Sequence, residues 1–169
     1  MNKDSTVIDL EKVVIKFAGD SGDGMQLTGS QFTETSALLG NDLATFPDFP
    51  AEIRAPLGTV AGVSGFQVHI GNTEINTPGD VADVLVAMNP AALKANKNWI
   101  KKGGTIIINS DSFAKKDLDK AGYENSPLED GSFSGFNIVE APIANLTQET
   151  LKDSGLDGKS IRRAKSLLY

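Results

Sequence analysis

Residues 84–109 read VLVAMNPAALKANKNWIKKGGTIIIN, and the order of events along them decides the fold class. VLVAM at 84–88 is an unbroken apolar run, the pattern of a strand covered on both faces. Asn89 is a strong helix cap, and Pro90 behind it suits the first helical position, where no backbone donor is needed. Leu93, Lys97 and Ile100 then recur at helical spacing and predict an inward stripe. Gly103 and Gly104 are expected to end that helix, just after two lysines suited to its negative end. TIIIN at 105–109 is a second buried strand. Two fully apolar strands joined by a helix form the unit from which parallel sheets are built.

Working outward, the same grammar recurs. VVIKFA at 13–18 is β-branched and ends at Gly19, which predicts a buried first strand. After the turn GDSGDG, residues Met25, Thr28, Gly29, Phe32, Ser36 and Leu39 define a helix face, with Gly29 allowing close approach to strands. Gly40 and Asn41 stop it. LATF at 43–46 predicts a short second strand, and FQVHI at 66–70 a strand with one polar face. Residues 110–135 are polar and turn-rich, and a shorter strand follows at 136–139. Leu146 and Leu151 are placed to staple a helix capped by Thr147 and closed by Gly155. Ile161, Ala164 and Leu168 mark a last helix over 160–169 with no stop signal, so the chain is expected to be truncated there. The expected fold is a three-layer α/β/α sandwich with a mostly parallel, possibly mixed sheet. A polar arm over 1–12 precedes one domain over 13–169.

From the end of the second strand through the third runs PDFPAEIRAPLGTVAGVSGFQVHIG at 47–71, its first part, 47–65, joining the two. Pro47, Pro50 and Pro56 exclude a helix or a central strand. Phe49, Ile53, Leu57, Val60 and Val63 would each cost roughly 1.5 to 3 kcal/mol if left in water. Such a segment is expected to be a functional loop that other polypeptides cover.

Composition narrows the chemistry. The 169 residues, 40% of them hydrophobic, suit one domain with a real core. There is no cysteine and one histidine, which excludes disulfides, thiolate zinc, cysteine-held iron–sulfur clusters and polyhistidine metal sites within these residues. A net charge of -6 argues against nucleic acid as a partner. No run approaches a membrane span and the polar arm has no signal-peptide core, so a cytoplasmic protein is expected.

Four places deserve weighing as sites. The glycine turn GDSGDGMQLTG at 19–29 joins a strand to a helix N-terminus, where backbone N–H groups bind phosphate or carboxylate. Its spacing is not the Gly-x-Gly-x-x-Gly dinucleotide fingerprint, and Asp20 and Asp23 put negative charge where a pyrophosphate would sit. It is either a ligand-facing loop or a tight structural turn. Glu52 and Arg54 point to the same side of an extended chain; arginine captures carboxylates or phosphates bidentately, but a pair within the loop, or a bridge to a neighbouring subunit, is the reading favoured over direct substrate contact. His69 falls on the opposite sheet face from Val68 and Ile70, with no triad or metal pattern beside it. Arg162, Arg163 and Lys165 form either a solvated face or a surface for a phosphate or an acidic partner. No nucleophile–base pair, metal cage or P-loop lysine is present, so no residue is assigned as catalytic.

Four ordered strings, FAGDSGDGMQLTGSQF, TFPDFPAEIRAPLGTVAGVSGFQVHIG, TPGDVADVLVAMNPAAL and KKGGTIIINSD, resemble the 2-oxoacid:ferredoxin oxidoreductases. The likeness is to the N-terminal gamma domain of the alpha subunit of the 2-oxoglutarate type, and runs from about residue 13 onward. The resemblance implies oxidative decarboxylation of a 2-oxoacid with coenzyme A to acyl-CoA, CO2 and reduced ferredoxin. It also implies thiamine diphosphate, magnesium and an iron–sulfur cluster elsewhere in the complex. The implied partners are the remaining alpha-subunit domain, a beta subunit and, through the complex, ferredoxin. Gly19, Gly22, Gly24, Glu52 and Arg54 are the positions carried over as facing the coenzyme A region. The thiamine-site motif Tyr-Pro-Ile-Thr-Pro has no counterpart, since Ala141-Pro142-Ile143-Ala144 does not match it. The family's Arg-Cys-Lys-Asn is replaced by Arg163-Ala164-Lys165-Ser166. The chain by itself is expected to be inactive. A non-catalytic assembly module and a free-standing nucleotide-binding enzyme are the competing readings.

Overall fold

The computed structural model describes residues 9–20, 22–49, 62–152, 154–155 and 160. β1 (Lys12–Asp20) carries the run at 13–18 through the middle of the sheet. Its side chains alternate, so Phe17 enters one apolar cluster and Ala18 the other. After the glycine turn, α1 (Met25–Leu38) presents Met25, Thr28, Gly29 and Ser36 inward. A Cβ built on Gly29 would lie 2.1 Å from the Phe66 ring, so glycine is required there for the helix to reach the sheet. Leu39, expected on that inward face, sits past the helix end and is exposed.

β2 (Asp42–Asp48) and β3 (Val63–Gly71) are longer than their apolar cores suggest. β2 tolerates Pro47 because it is an edge strand, paired only with β3. β4 (Ala82–Ala87), α2 (Pro90–Asn96) and β5 (Ile100–Asn109) are the unit anticipated from residues 84–109. Then come α3 (Lys115–Lys120), β6 (Asn137–Ala141) and α4 (Ile143–Leu151).

Among the described residues the strands form one six-stranded sheet in the order β2-β3-β1-β4-β5-β6. The β1–β4, β4–β5 and β5–β6 pairs are parallel, whereas β3 runs antiparallel to both β1 and β2. The sheet is therefore mixed, with β3 alone reversed. Two apolar clusters flank it. Phe17, Met25, Phe66, Val68, Val86, Met88 and Ile143 join α1 and α4 to one face. Ala18, Leu85, Ala87, Leu93, Ile106 and Ile108 join α2 to the other. This is the expected α/β/α arrangement.

Three local expectations are corrected. The helix after Asn89 ends with a 3-10 turn at Lys97–Trp99, so Ile100 begins β5 and is not part of a helical stripe. Gly103 takes φ 76° inside β5, where the register against β4 shifts, so the glycine pair forms an irregularity in a strand. Lys101, freed from any helix end, pairs with Asp83 at 2.6 Å. Thr147 does not cap α4: it is buried within the helix, and its Oγ1 donates back to the Ile143 carbonyl at 2.7 Å. The first amides of α4 are met instead by Asn109 and Asp111, which accept from Ile143 N and Asn145 N at 3.3 Å each. The expected helix over 160–169 lies, apart from Ser160, outside the described residues.

Candidate functional site

β1 and β4 are parallel neighbours whose following helices leave to opposite faces of the sheet. In open α/β sheets such a divergence opens a crevice at the carboxyl ends of the strands, the usual place for a ligand. The glycine turn sits at this point. Gly24 has φ 76° and is the N-cap of α1, a conformation that glycine adopts without strain. A Cβ on Gly19 would come within 3.0 Å of Asp23 Oδ2 and 3.1 Å of Met25 Sδ. These two glycines are explained by the turn itself. Gly22 differs, since a Cβ there would meet nothing within 4 Å.

The carboxylates complete the turn. Asp23 N donates to Asp20 O at 2.9 Å, while Asp23 Oδ2 accepts from Asp20 N at 2.9 Å. Asn89 bridges to the neighbouring helix: its Oδ1 caps α2 by accepting from Ala92 N at 2.8 Å, and its Nδ2 donates to Asp20 Oδ1 at 3.0 Å. One amide donor of the turn is thus already used by a carboxylate, and the turn itself carries two negative side chains. The arrangement is not a phosphate cradle, because an incoming phosphate would meet like charge.

Glu52 and Arg54 lie outside the described residues, but the strand ends on either side of them are described. Asp48 and Gly65 are opposite one another in the β2–β3 ladder. From the first turn of α1, Gln26 Nε2 donates to Gly65 O at 2.7 Å and lies 3.3 Å from Asp48 O and 3.2 Å from Ser64 Oγ. On the other face Lys16 is almost wholly buried; its ammonium lies 3.6 Å from Asp48 Oδ2 and 5.7 Å above the Trp99 ring. His69 does project from the face opposite Val68, and its Nδ1 lies 2.7 Å from Thr77 O, a contact to the backbone. Gln26, Lys16 and the second role of Asn89 were not singled out from the sequence. Lys16 carried a signal, as the only charge within an otherwise apolar strand core.

A family model described as pyruvate ferredoxin/flavodoxin oxidoreductase matches residues 14–163. The chain belongs to the pyruvate ferredoxin/flavodoxin oxidoreductase family. Within this family it is 54% identical over 158 residues to the 2-oxoglutarate oxidoreductase subunit KorA of Mycobacterium tuberculosis. That match takes in 94% of the chain and 24% of the relative, so the chain spans about a quarter of the length of the curated protein it resembles. Its fold is similar to that of the 2-oxoglutarate:ferredoxin oxidoreductase from Magnetococcus marinus, solved with 2-oxoglutarate, coenzyme A and succinyl-CoA bound, at a TM-score of 0.66 and 24% identity. That alignment covers 94% of this chain and 23% of the other. It is also similar to the gamma subunit of a keto/oxoacid ferredoxin oxidoreductase from Geobacter sulfurreducens, at a TM-score of 0.58 and 17% identity, covering 93% of this chain and 83% of the other. The resemblance noted on the four ordered strings is thereby confirmed at the level of the oxidoreductase family. Among the described residues, no helix is long and apolar enough to cross a membrane.

Proposed function

We propose that this chain acts as the gamma-type domain of a 2-oxoglutarate, or related 2-oxoacid, ferredoxin oxidoreductase, and that it helps to enclose the coenzyme A region. The observation that carries this reading is the 54% identity to a 2-oxoglutarate oxidoreductase subunit across nearly the whole chain. In the proposed complex the remaining alpha-subunit domain and the beta subunit are partners, and ferredoxin accepts the electrons. Thiamine diphosphate with magnesium would supply the carbanion chemistry there, and an iron–sulfur cluster the electron path. The residues of this chain do not fit either group, having no cysteine and no thiamine motif. Toward coenzyme A, the contacts proposed are Glu52 and Arg54, together with the turn at Gly19, Gly22 and Gly24. Gly22 supports that placement, because its missing side chain is not required by any contact within the described residues.

The reading is tested with the chain assembled with its companion subunits, following 2-oxoglutarate- and CoA-dependent reduction of a viologen dye. Replacing residues 51–61 by a glycine–serine linker is expected to raise the half-saturating CoA concentration. Unaltered CoA dependence after that replacement would refute a role for the loop. A second reading, a module that only binds other subunits, is favoured by the carboxylate-filled turn. It predicts the same CoA affinity for the complex with and without this domain.

A further inference from the structure

Residues 94–102, KANKNWIKK, hold four of the 16 lysines and arginines and no aspartate or glutamate, in a chain whose net charge is -6. The rest of the chain is therefore more acidic still, and the positive charge is segregated. The fold brings residues 97–102 to the amino ends of β4 and β5, away from the crevice at their carboxyl ends. Trp99 is 52% exposed there. Val81, 37% exposed, precedes Ala82 as Trp99 precedes Ile100, and Ala82 and Ile100 are partners in register. Two apolar side chains thus share this end of the sheet. Lys97, Lys101 and Lys102 flank Trp99 and are exposed. Lys101 is matched by Asp83 at 2.6 Å, and Lys94 is engaged by the carbonyls of Ala121 and Gly122. Lys97 and Lys102 have no ion pair among the described residues.

Trp99 is also held from beneath. The ammonium of Lys16, almost wholly buried, lies 5.7 Å from its ring centroid. A restrained, half-exposed aromatic ring loses little freedom when a partner covers it, and such rings anchor small interfaces. Obligate interfaces are larger and more apolar than this patch. We propose that Trp99, Val81, Lys97 and Lys102 form a docking site for an acidic protein segment. An apolar side chain of that segment rests on the indole, and its carboxylates face the two lysines. Charge complementarity selects this occupant, and the acidity of the rest of the chain disfavours a nucleic acid. The site is independent of the function proposed above. The rival explanation is that the lysines only complement the carboxyl end of α2 and solvate the surface.

Trp99 is the only tryptophan, so the emission of the full chain reads the site directly. Titration with the peptide Glu-Glu-Leu-Glu-Glu-Leu-Glu-Glu is expected to give a saturable blue shift that weakens as salt is added. Lys97→Glu with Lys102→Glu is expected to raise the half-saturating peptide concentration about tenfold, and Lys97→Gln with Lys102→Gln about threefold. Lys115→Glu with Lys116→Glu makes the same change in net charge at exposed positions of α3, which begins beyond the carboxyl end of β5. That pair is expected to stay within about twofold of the parent. Urea midpoints check folding, and should the first glutamate pair unfold, the glutamine pair decides. Absence of a saturable shift overturns the proposal, as does equal binding of a peptide with serine in place of leucine. Equal weakening by both glutamate pairs makes net charge the cause and overturns the site. An oligothymidylate of equal charge that binds as tightly reduces the patch to a general polyanion surface. A blue shift with rising chain concentration alone assigns the face to a second copy of the chain, and either result overturns the acidic segment as its occupant.

Discussion

The Tyr123 hydroxyl is buried without a hydrogen-bond partner among the described residues, while the Lys94 ammonium lies 5.0 Å over its ring. Lys94 is itself held by the carbonyls of Ala121 and Gly122, at 2.9 and 2.8 Å. Burial, and after it the charge of Asp130, push the Tyr123 phenol up to about 12. An unfolded tyrosine ionises near 10. Between those two values the unfolded chain has lost the proton that the folded chain keeps, so the contribution Tyr123 makes to stability is fully present below pH 10 and is lost as pH rises toward 12. Tyr123→Phe is therefore expected to flatten this part of the stability–pH profile relative to the parent, measured by urea titration at pH 8, 10 and 11. At pH 7 the same change is expected to be neutral or slightly stabilising, because it removes a buried hydroxyl that has no partner. An equal alkaline slope in parent and variant would place the cause elsewhere. None of this was legible in the sequence, since Lys94 and Tyr123 meet only after α2 and α3 have packed.

At the scale of elements, Asn89 does two jobs, and they can be separated. It caps α2 through Oδ1 and ties the glycine turn through Nδ2. Asn89→Ala removes both and is expected to cost about 1–2 kcal/mol, read as a lower urea midpoint at unchanged slope. Asn89→Asp keeps the cap but sets a third carboxylate against Asp20 and Asp23, so it too is expected to destabilise at neutral pH. If Asn89→Asp matched the parent, the tie to the turn would contribute nothing. The cap was readable from Asn-Pro ahead of an apolar stripe because capping is local chemistry. The tie was not, because Asp20 is 69 residues away along the chain. The same division explains the other outcomes. The strands at 84–88 and 105–109 were legible from apolar runs, and Gly29 from helix periodicity. Gly103 and Gly104 misled because a glycine pair signals a helix end and a strand irregularity equally well. Thr147 misled because a threonine after a leucine resembles a cap, yet Asn109 and Asp111 already serve the helix amides from another element. The loop residues Glu52 and Arg54 fall outside the described residues, and of their surroundings only the strand ends are in view.

For the whole molecule, the decisive feature is that both apolar clusters are built on the same strands. Phe17 and Ala18 of β1, Val86 and Leu85 of β4, and Ile107 and Ile108 of β5 are adjacent pairs that point to opposite faces. Stripping α1 from one face would leave the strands that support α2 half exposed, so neither layer has an independent core. A fold similar to this one occurs as most of a separate gamma subunit and as about a quarter of a longer chain, which fits a unit that completes its own core. The expectation is a single cooperative urea transition for the full chain. Trp99, the only tryptophan, sits between α2 and β5 and above Lys16, and so reports on the seam between helix and sheet. Its emission is expected to change with the same midpoint and slope as the far-ultraviolet circular dichroism. Were the tryptophan signal to move at lower urea than the helical signal, the α2 layer would be detaching first, and the shared-strand account of cooperativity would be wrong. Lys16→Met sharpens the comparison. It removes the cation beneath Trp99 but none of the apolar pairs, so it is expected to leave the two transitions coincident, at whatever urea concentration they fall.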